Sequence, residues 1–273
     1  MIRVLFFVLS CALLGCGARS CPSKSPRSVK QALQLHQSMH AYLSSLRAEA
    51  RVEQYDRHGR IKGTVMMFVM RPDRVRFDML TQFGPAAILT SKGPSFQFSD
   101  FKAKKFSSGL TCPGNIARLI GMNLSAEELG KLLFAEVPEM PAARTSMMCT
   151  SEGYYRLMRY SKDGRRQEID FDVRGADRDK SIEEQRLRLV RIELYDSQNR
   201  RQWKVLYDEY KVLSLPGHAM GIAMPHRVEF FDGYRGSEVL LKFKKIDLNV
   251  SIESTIFDQE ARPGMTLEEN LCE

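Results

Sequence analysis

Residues 46–82 read LRAEARVEQYDRHGRIKGTVMMFVMRPDRVRFDMLTQ, and this stretch decides the fold class. In its last third Val75, Phe77 and Met79 fall on one face while Arg74, Arg76 and Asp78 fall on the other. A period of two is the signature of a strand with one buried and one wet face. The segment 46–56 alternates in the same way, and 61–70 returns after the turn Arg57-His58-Gly59-Arg60. A second tight turn at Arg71-Pro72-Asp73 leads into the third strand. Strands joined by such short turns can only pair antiparallel, so the stretch reads as a meander.

The pattern continues on the C-terminal side. Residues 86–92 and 95–101 follow Gly-Pro turns at 84–85 and 93–94, and 104–108 adds a further short strand. On the N-terminal side Val29, Leu33, His36, Leu43 and Leu46 recur at helical spacing behind Ser28, which predicts a helix of about 18 residues. Two short helices interrupt the sheet, at 115–122 and 125–134. The second opens with a capping box, Ser125 and Glu128, and leaves through Pro138 and Pro141. Strands resume at 153–161, 166–174, 187–196, 202–210, 226–232 and 237–248, while 251–273 reads as an irregular tail. With so few helices, the economical way to bury one face of a large sheet is to curve it around them. The predicted class is α+β, mostly β: a strongly curved antiparallel sheet wrapped around a few helices.

Few features point to chemistry. GxSxG, HExxH, P-loop and GxGxxG signatures are absent. His36 and His40 stand four apart on the helix, but no carboxylate motif accompanies them, and they read as partly buried helix residues. Asp170 and Asp172 alternate with Ile169, Phe171 and Val173, which makes them the wet face of a strand. The expectation is therefore neither an enzyme nor a metal or cofactor protein. The apolar strand faces carry Val65, Met67, Val69, Phe77, Met79, Phe96, Phe98, Phe171 and Phe243, a lining rich in adaptable Met and Phe and suited to apolar ligands.

The first residues set the compartment. Arg3 precedes an apolar run, 4–14, far shorter than the roughly 20 residues that span a bilayer, so 1–15 reads as a secretory signal. The residues Leu13-Leu14-Gly15-Cys16 resemble the lipobox of bacterial lipoproteins, with Leu14 bulkier than the usual small residue. That resemblance implies cleavage before Cys16, acylation of Cys16, and a linker over 16–28 leading to a domain over 29–250. Gly17, in place of an aspartate, points to the outer membrane. The chain carries a net charge of +8, with small basic runs at 102–105, 164–166 and 199–201. These suit anionic head groups more than nucleic acid, for which no basic stretch interleaved with aromatics exists. Four further cysteines, Cys21, Cys112, Cys149 and Cys272, predict two disulfides in an oxidising compartment. Of three connectivities, Cys112–Cys149 with Cys21–Cys272 is preferred because each pair brackets a coherent segment.

The order of these motifs resembles the LolA/LolB-type lipoprotein-carrier superfamily. The resemblance rests on the helix running into LRAEARVEQ, the RPDRVRFDML turn, and LTQFGPAAILT followed by LSAEELGKLLFAEVP. The stretch MPHRVEFFD followed by VLLKFKKIDLN carries it to the C-terminal side. It implies a curved antiparallel unclosed half-barrel of about eleven strands, helices over the mouth as a lid, and an apolar cavity for acyl chains. A lipidated chain is more similar to the family's membrane-bound receiver than to its soluble carrier, which makes acylated lipoproteins or lipids, and a periplasmic LolA-like carrier, the expected partners of a monomer. In the receiver, a Thr-Asn-Pro-Leu-Gly loop projects an apolar side chain into the bilayer. Here Thr81-Gln82-Phe83-Gly84 occupies the matching place without the Asn-Pro pair, and Phe83 is the candidate for insertion.

Overall fold

The computed structural model describes residues 20–57, 59–120, 123–270 and 272. The signal 1–15 and the lipidation candidate Cys16 lie outside the described residues. The chain opens with α1 (Val29–His40), whose Ser28 side chain accepts the Gln31 N–H at 3.1 Å. The helix has 12 residues because the alternation of the first strand already begins at Ser45 and captures Leu46. Six strands follow: β1 (Ser45–Asp56), β2 (Gly59–Met70), β3 (Arg74–Thr81), β4 (Gly84–Lys92), β5 (Ser95–Asp100) and β6 (Lys105–Leu110). The helices α2 (Pro113–Ile120) and α3 (Ala126–Leu133) come next. Then come β7 (Arg144–Cys149), β8 (Tyr155–Tyr160), β9 (Arg166–Val173), β10 (Leu187–Tyr195) and β11 (Arg201–Asp208). The series closes with β12 (Lys211–Leu215), β13 (His218–Met224), β14 (Arg227–Asp232), β15 (Ser237–Leu248) and β16 (Thr266–Asn270).

Fourteen strands form one sheet, in the order β16-β6-β5-β4-β3-β2-β1-β15-β14-β11-β10-β9-β8-β7, while β12 and β13 pair as a separate hairpin. This exceeds the expected eleven or so strands. All neighbours are antiparallel except β16, which runs parallel to β6. The sheet does not close, because β16 and β7 remain at its two edges. It must nevertheless curve. Tyr207 of β11 donates to the Leu132 carbonyl of α3, and α3 also lies against β3 and Val69 of β2. From β3 to β11 is five strand spacings, about 24 Å on a flat sheet, whereas a helix is only about 10–12 Å across.

The inner face carries the core. Register pairs Met67 with Phe77, Phe77 with Leu89 and Leu89 with Phe98 on one side of the wrap, and Leu189 with Phe171 on the other. Charged residues take the outer face. Asp170 is only 4% exposed there, because Arg156 and Arg191 each bond its carboxylate, at 2.8 and 2.9 Å. The wet strand face read from the alternation is thus covered by its own ion pairs.

The tail is not irregular. Phe257 is buried against the outer side of the sheet, Arg76 bonds the Ile256 carbonyl, and Gln259 bonds Gln97, Ser99, Thr90 and the Ile88 carbonyl. The segment crosses β3–β5 as a strap and ends in β16.

The disulfides are Cys21–Cys149 and Cys112–Cys272, with Cα separations of 6.2 and 6.1 Å. The expected Cys112–Cys149 pairing fails for a topological reason. Cys112 follows β6 near one edge of the sheet and Cys149 ends β7 at the other, whereas a disulfide needs Cα atoms within about 7 Å. Each observed bond ties one end of the described chain to one of those edges.

The antiparallel ladder sorts the connections to two ends. One, the Phe83 end, holds the turns at 57–58, 82–83, 101–104, 161–165, 196–200 and 233–236. The other, the α1 end, holds 71–73, 93–94, 150–154, the 174–186 loop, and the β12–β13 hairpin.

Candidate functional site

The inner face is covered by α3. Its capping box is formed in both directions, Ser125 Oγ accepting from the Glu128 N–H and Glu128 accepting from the Ser125 N–H. Leu129, Leu132 and Leu133 are buried against the sheet, at most 4% exposed. Gly130 sits over Val69, where an added Cβ would stand 3.6 Å from Val69 Cγ1, so the helix approaches to ordinary contact. Beyond the helix, Arg71 donates to Glu136 at 2.6 Å and lies 4.8 Å over the Phe134 ring.

The predicted lining residues are at the centre of this packing. Val65, Met67, Val69, Phe77, Phe96, Phe171 and Phe243 are all buried, and Met79 and Phe98 pack against them partly exposed. None of them lines a cavity described among the described residues. Between α3 and β11, β14 and β15 there remains about 10 Å³, the scale of a single water at most. Burial of these side chains follows from the alternation. That α3 would fill the space above them does not, since no pattern within 125–134 says how deeply the helix sits.

Open space lies instead toward the ends of the sheet: about 310 Å³ beside Pro141 and the 161–165 turn at the Phe83 end, and more at the α1 end. A cavity of about 330 Å³ is bounded by His36, Met39 and His40 of α1, Leu187 and Leu189 of β10, and Ile222 of the hairpin. This is the lower end of the range for small-ligand sites. Tyr210 closes one side, its hydroxyl donating to the Leu189 carbonyl at 2.5 Å. Burial holds the hydroxyls of Tyr210 and Tyr207 well above the ordinary phenol range, so both stay neutral donors.

The two helix histidines form the cavity's inner wall. His36 Nδ1 faces the Leu187 carbonyl at 3.1 Å, Nε2 faces the Ala135 carbonyl at 2.9 Å, and the ring packs 4.7 Å from Phe171. It thereby joins α1, β10 and the exit of α3. Burial first, and the neighbouring His40 second, lower its pKa to about 3. His40, with Nδ1 on the His36 carbonyl, is lowered chiefly by burial. They are more deeply buried than the helical spacing implied; both His36 nitrogens and His40 Nδ1 face backbone carbonyls, while His40 Nε2 is buried without a hydrogen-bond partner. Among the described residues no three His, Cys, Asp or Glu side chains are grouped to hold a metal.

Phe83 stands apart from all of this. It is 91% exposed at the β3–β4 tip, where Thr81 Oγ1 caps the turn by accepting the Phe83 N–H and donating to the Gly84 carbonyl. It projects from the Phe83 end.

Solved structures share this architecture. A putative outer membrane lipoprotein-sorting protein domain from Vibrio parahaemolyticus matches 83% of this chain over 95% of its own, at 12% identity and a TM-score of 0.55. A LolA superfamily protein from Nitrosomonas europaea matches 86% of this chain over 99% of its own, at 12% identity and a TM-score of 0.54. The fold is LolA/LolB-type. A DUF1329 family protein from Desulfovibrio piger shares it, with 88% and 98% coverage, 13% identity and a TM-score of 0.57. No family model and no curated protein sequence matches the chain. In this chain α3 covers the inner face, and a cavity of about 330 Å³ lies at the α1 end.

Proposed function

We propose that this chain is a LolB-like envelope lipoprotein, anchored through acylated Cys16 in the outer membrane, that accepts the acyl chains of lipoprotein or lipid cargo. The observation that carries the reading is a continuous apolar inner face, from Phe96 to Leu157, covered by short helices rather than by another sheet. Acyl chains replace α3 on that face when the helix swings away. The sites that would release are few: the Tyr207 and His36 bonds to α3 and its exit, and the Arg71–Glu136 pair. A LolA-like carrier in the periplasm is the partner of matching chemistry, and the chain acts as a monomer without a cofactor or catalytic step.

The packed space under α3 favours a second reading, a structural or sensing lipoprotein whose core never opens. A covalent lock separates the two. Cysteines introduced by Val69→Cys and Gly130→Cys face each other across the helix–sheet contact. Native mass spectrometry of delipidated protein with a diacylated lipopeptide is expected to show a bound ligand for the wild type and for Gly130→Cys alone, and none for the oxidised pair. No binding by any form overturns the acceptor reading. Equal binding by the locked form places the ligand elsewhere than under α3.

A further inference from the structure

Apolar side chains protrude at both ends of the sheet. Ile61, Phe83 and Tyr234 mark one, and Tyr42 and Val212 mark the other, all more than half exposed. Which end meets the bilayer is decided by where the tether leaves. Cys21 is bonded to Cys149 at the close of β7, and Arg178 donates to the Ser20 carbonyl. Both fix the departure point at the α1 end. From Cys16 to Cys21 is five residues, which span at most about 18 Å even fully extended. Phe83 lies at the opposite end of β3, whose eight residues run about 26 Å, and eight strand positions from β8.

Charge is divided between the ends: the basic runs at 102–105, 164–166 and 199–201 lie at the Phe83 end, while a separate basic segment flanks the tether itself. No Asp or Glu precedes Glu49 in the chain, whereas Arg19, Lys24, Arg27 and Lys30 flank the tether. Lys24, Arg27 and Lys30 are exposed at the start of α1. Acidic groups stand at this end too, among them Glu152, Glu183 and Glu184, with Lys180 and Lys24 acting on Glu184 and Arg178 paired with Asp172. A basic segment next to an acyl anchor is the arrangement that holds a protein against anionic lipid. The 330 Å³ cavity opens at this end, between α1 and the hairpin that carries Val212.

We propose that the α1 end rests on an anionic phospholipid bilayer, with the mouth beside α1 and the β12–β13 hairpin against the lipid and Phe83 pointing away from it. The inference rests on the Cys16 anchor of the proposed function, and it replaces the expectation that Phe83 enters that bilayer. An acyl chain passes between cavity and leaflet without crossing the length of the sheet.

Tryptophan substitutions at exposed positions test it in the full lipidated chain, reconstituted in phosphatidylethanolamine–phosphatidylglycerol vesicles with brominated acyl chains. The native Trp203 is buried and gives a constant background. Emission from Tyr42→Trp and Val212→Trp is expected to fall at least twofold relative to unbrominated vesicles. Phe83→Trp is expected to stay unquenched by lipid and open to aqueous iodide. The reverse pattern, or quenching at both ends, overturns the orientation while leaving the acceptor reading intact. Mass analysis of the same preparation reports acylation: an unmodified Cys16 overturns both. Hydrogen exchange on the unsubstituted chain adds a second readout, with protection on vesicle binding expected at 209–226 and not at 82–83.

Discussion

His36 is the residue on which most of the interior converges, and its titration has a definite sign. In the unfolded chain it takes up a proton near pH 6.5, whereas in the fold burial delays this to about pH 3. Between those values the unfolded state binds more protons, so stability is full above pH 6.5 and is lost as pH falls toward 3. The loss is at most about 1.4 kcal/mol per pH unit from this one group. Urea midpoints measured from pH 7 to 4.5 are expected to fall for the wild type and to fall less steeply for His36→Leu. Equal slopes would show that the ring is already charged in the fold. Phe257 offers a second measurement: it is 1% exposed under the tail strap, and Phe257→Ala is expected to cost about 3–5 kcal/mol of unfolding free energy. Of these two, only His36 was legible beforehand, as a helix-face residue. Phe257 is one aromatic in a stretch without periodicity, and its burial depends on Ser99 donating to Gln259 and Arg76 to the Ile256 carbonyl, across 160 residues or more.

At the scale of elements, legibility followed alternation. β1 to β6, β8 to β11, β14 and β15 all carry a period-two pattern strong enough to read. β7 does not, because Arg144 to Cys149 is an edge strand exposed along most of its length. β16 does not either, since Thr-Leu-Glu-Glu-Asn has neither alternation nor strand-forming composition. What holds β16 is its partner. Gly109 of β6 faces Asn270, where an added Cβ would come within 2.1 Å of the Asn270 carbonyl oxygen. Gly109→Ala should therefore detach β16 while Cys112–Cys272 keeps the end of the chain nearby. Loss of amide protection at 266–270, with β3 and β4 unchanged, is the expected exchange pattern. Retained protection would mean that the backbone shifts to admit the methyl group.

For the whole molecule, the class of fold followed from the count of strands against helices, and the curvature of the sheet from the same imbalance, while its openness followed only from the resemblance. The cysteine pairing did not follow, because brackets along a chain say nothing about which sheet edge each cysteine reaches. The observed bonds are interleaved in sequence: Cys21 to Cys149 encloses Cys112, and Cys112 to Cys272 encloses Cys149. A chain that emerges from its N-terminus into an oxidising space presents Cys21 and Cys112 together before either native partner has arrived. The first bond available is therefore a wrong one, and the native pair requires thiol–disulfide exchange to undo it. Oxidative refolding without a reshuffling thiol is expected to trap Cys21–Cys112, detectable by peptide mapping, and a glutathione redox couple to release it. The maturation of this protein would then be limited by the supply of an isomerase.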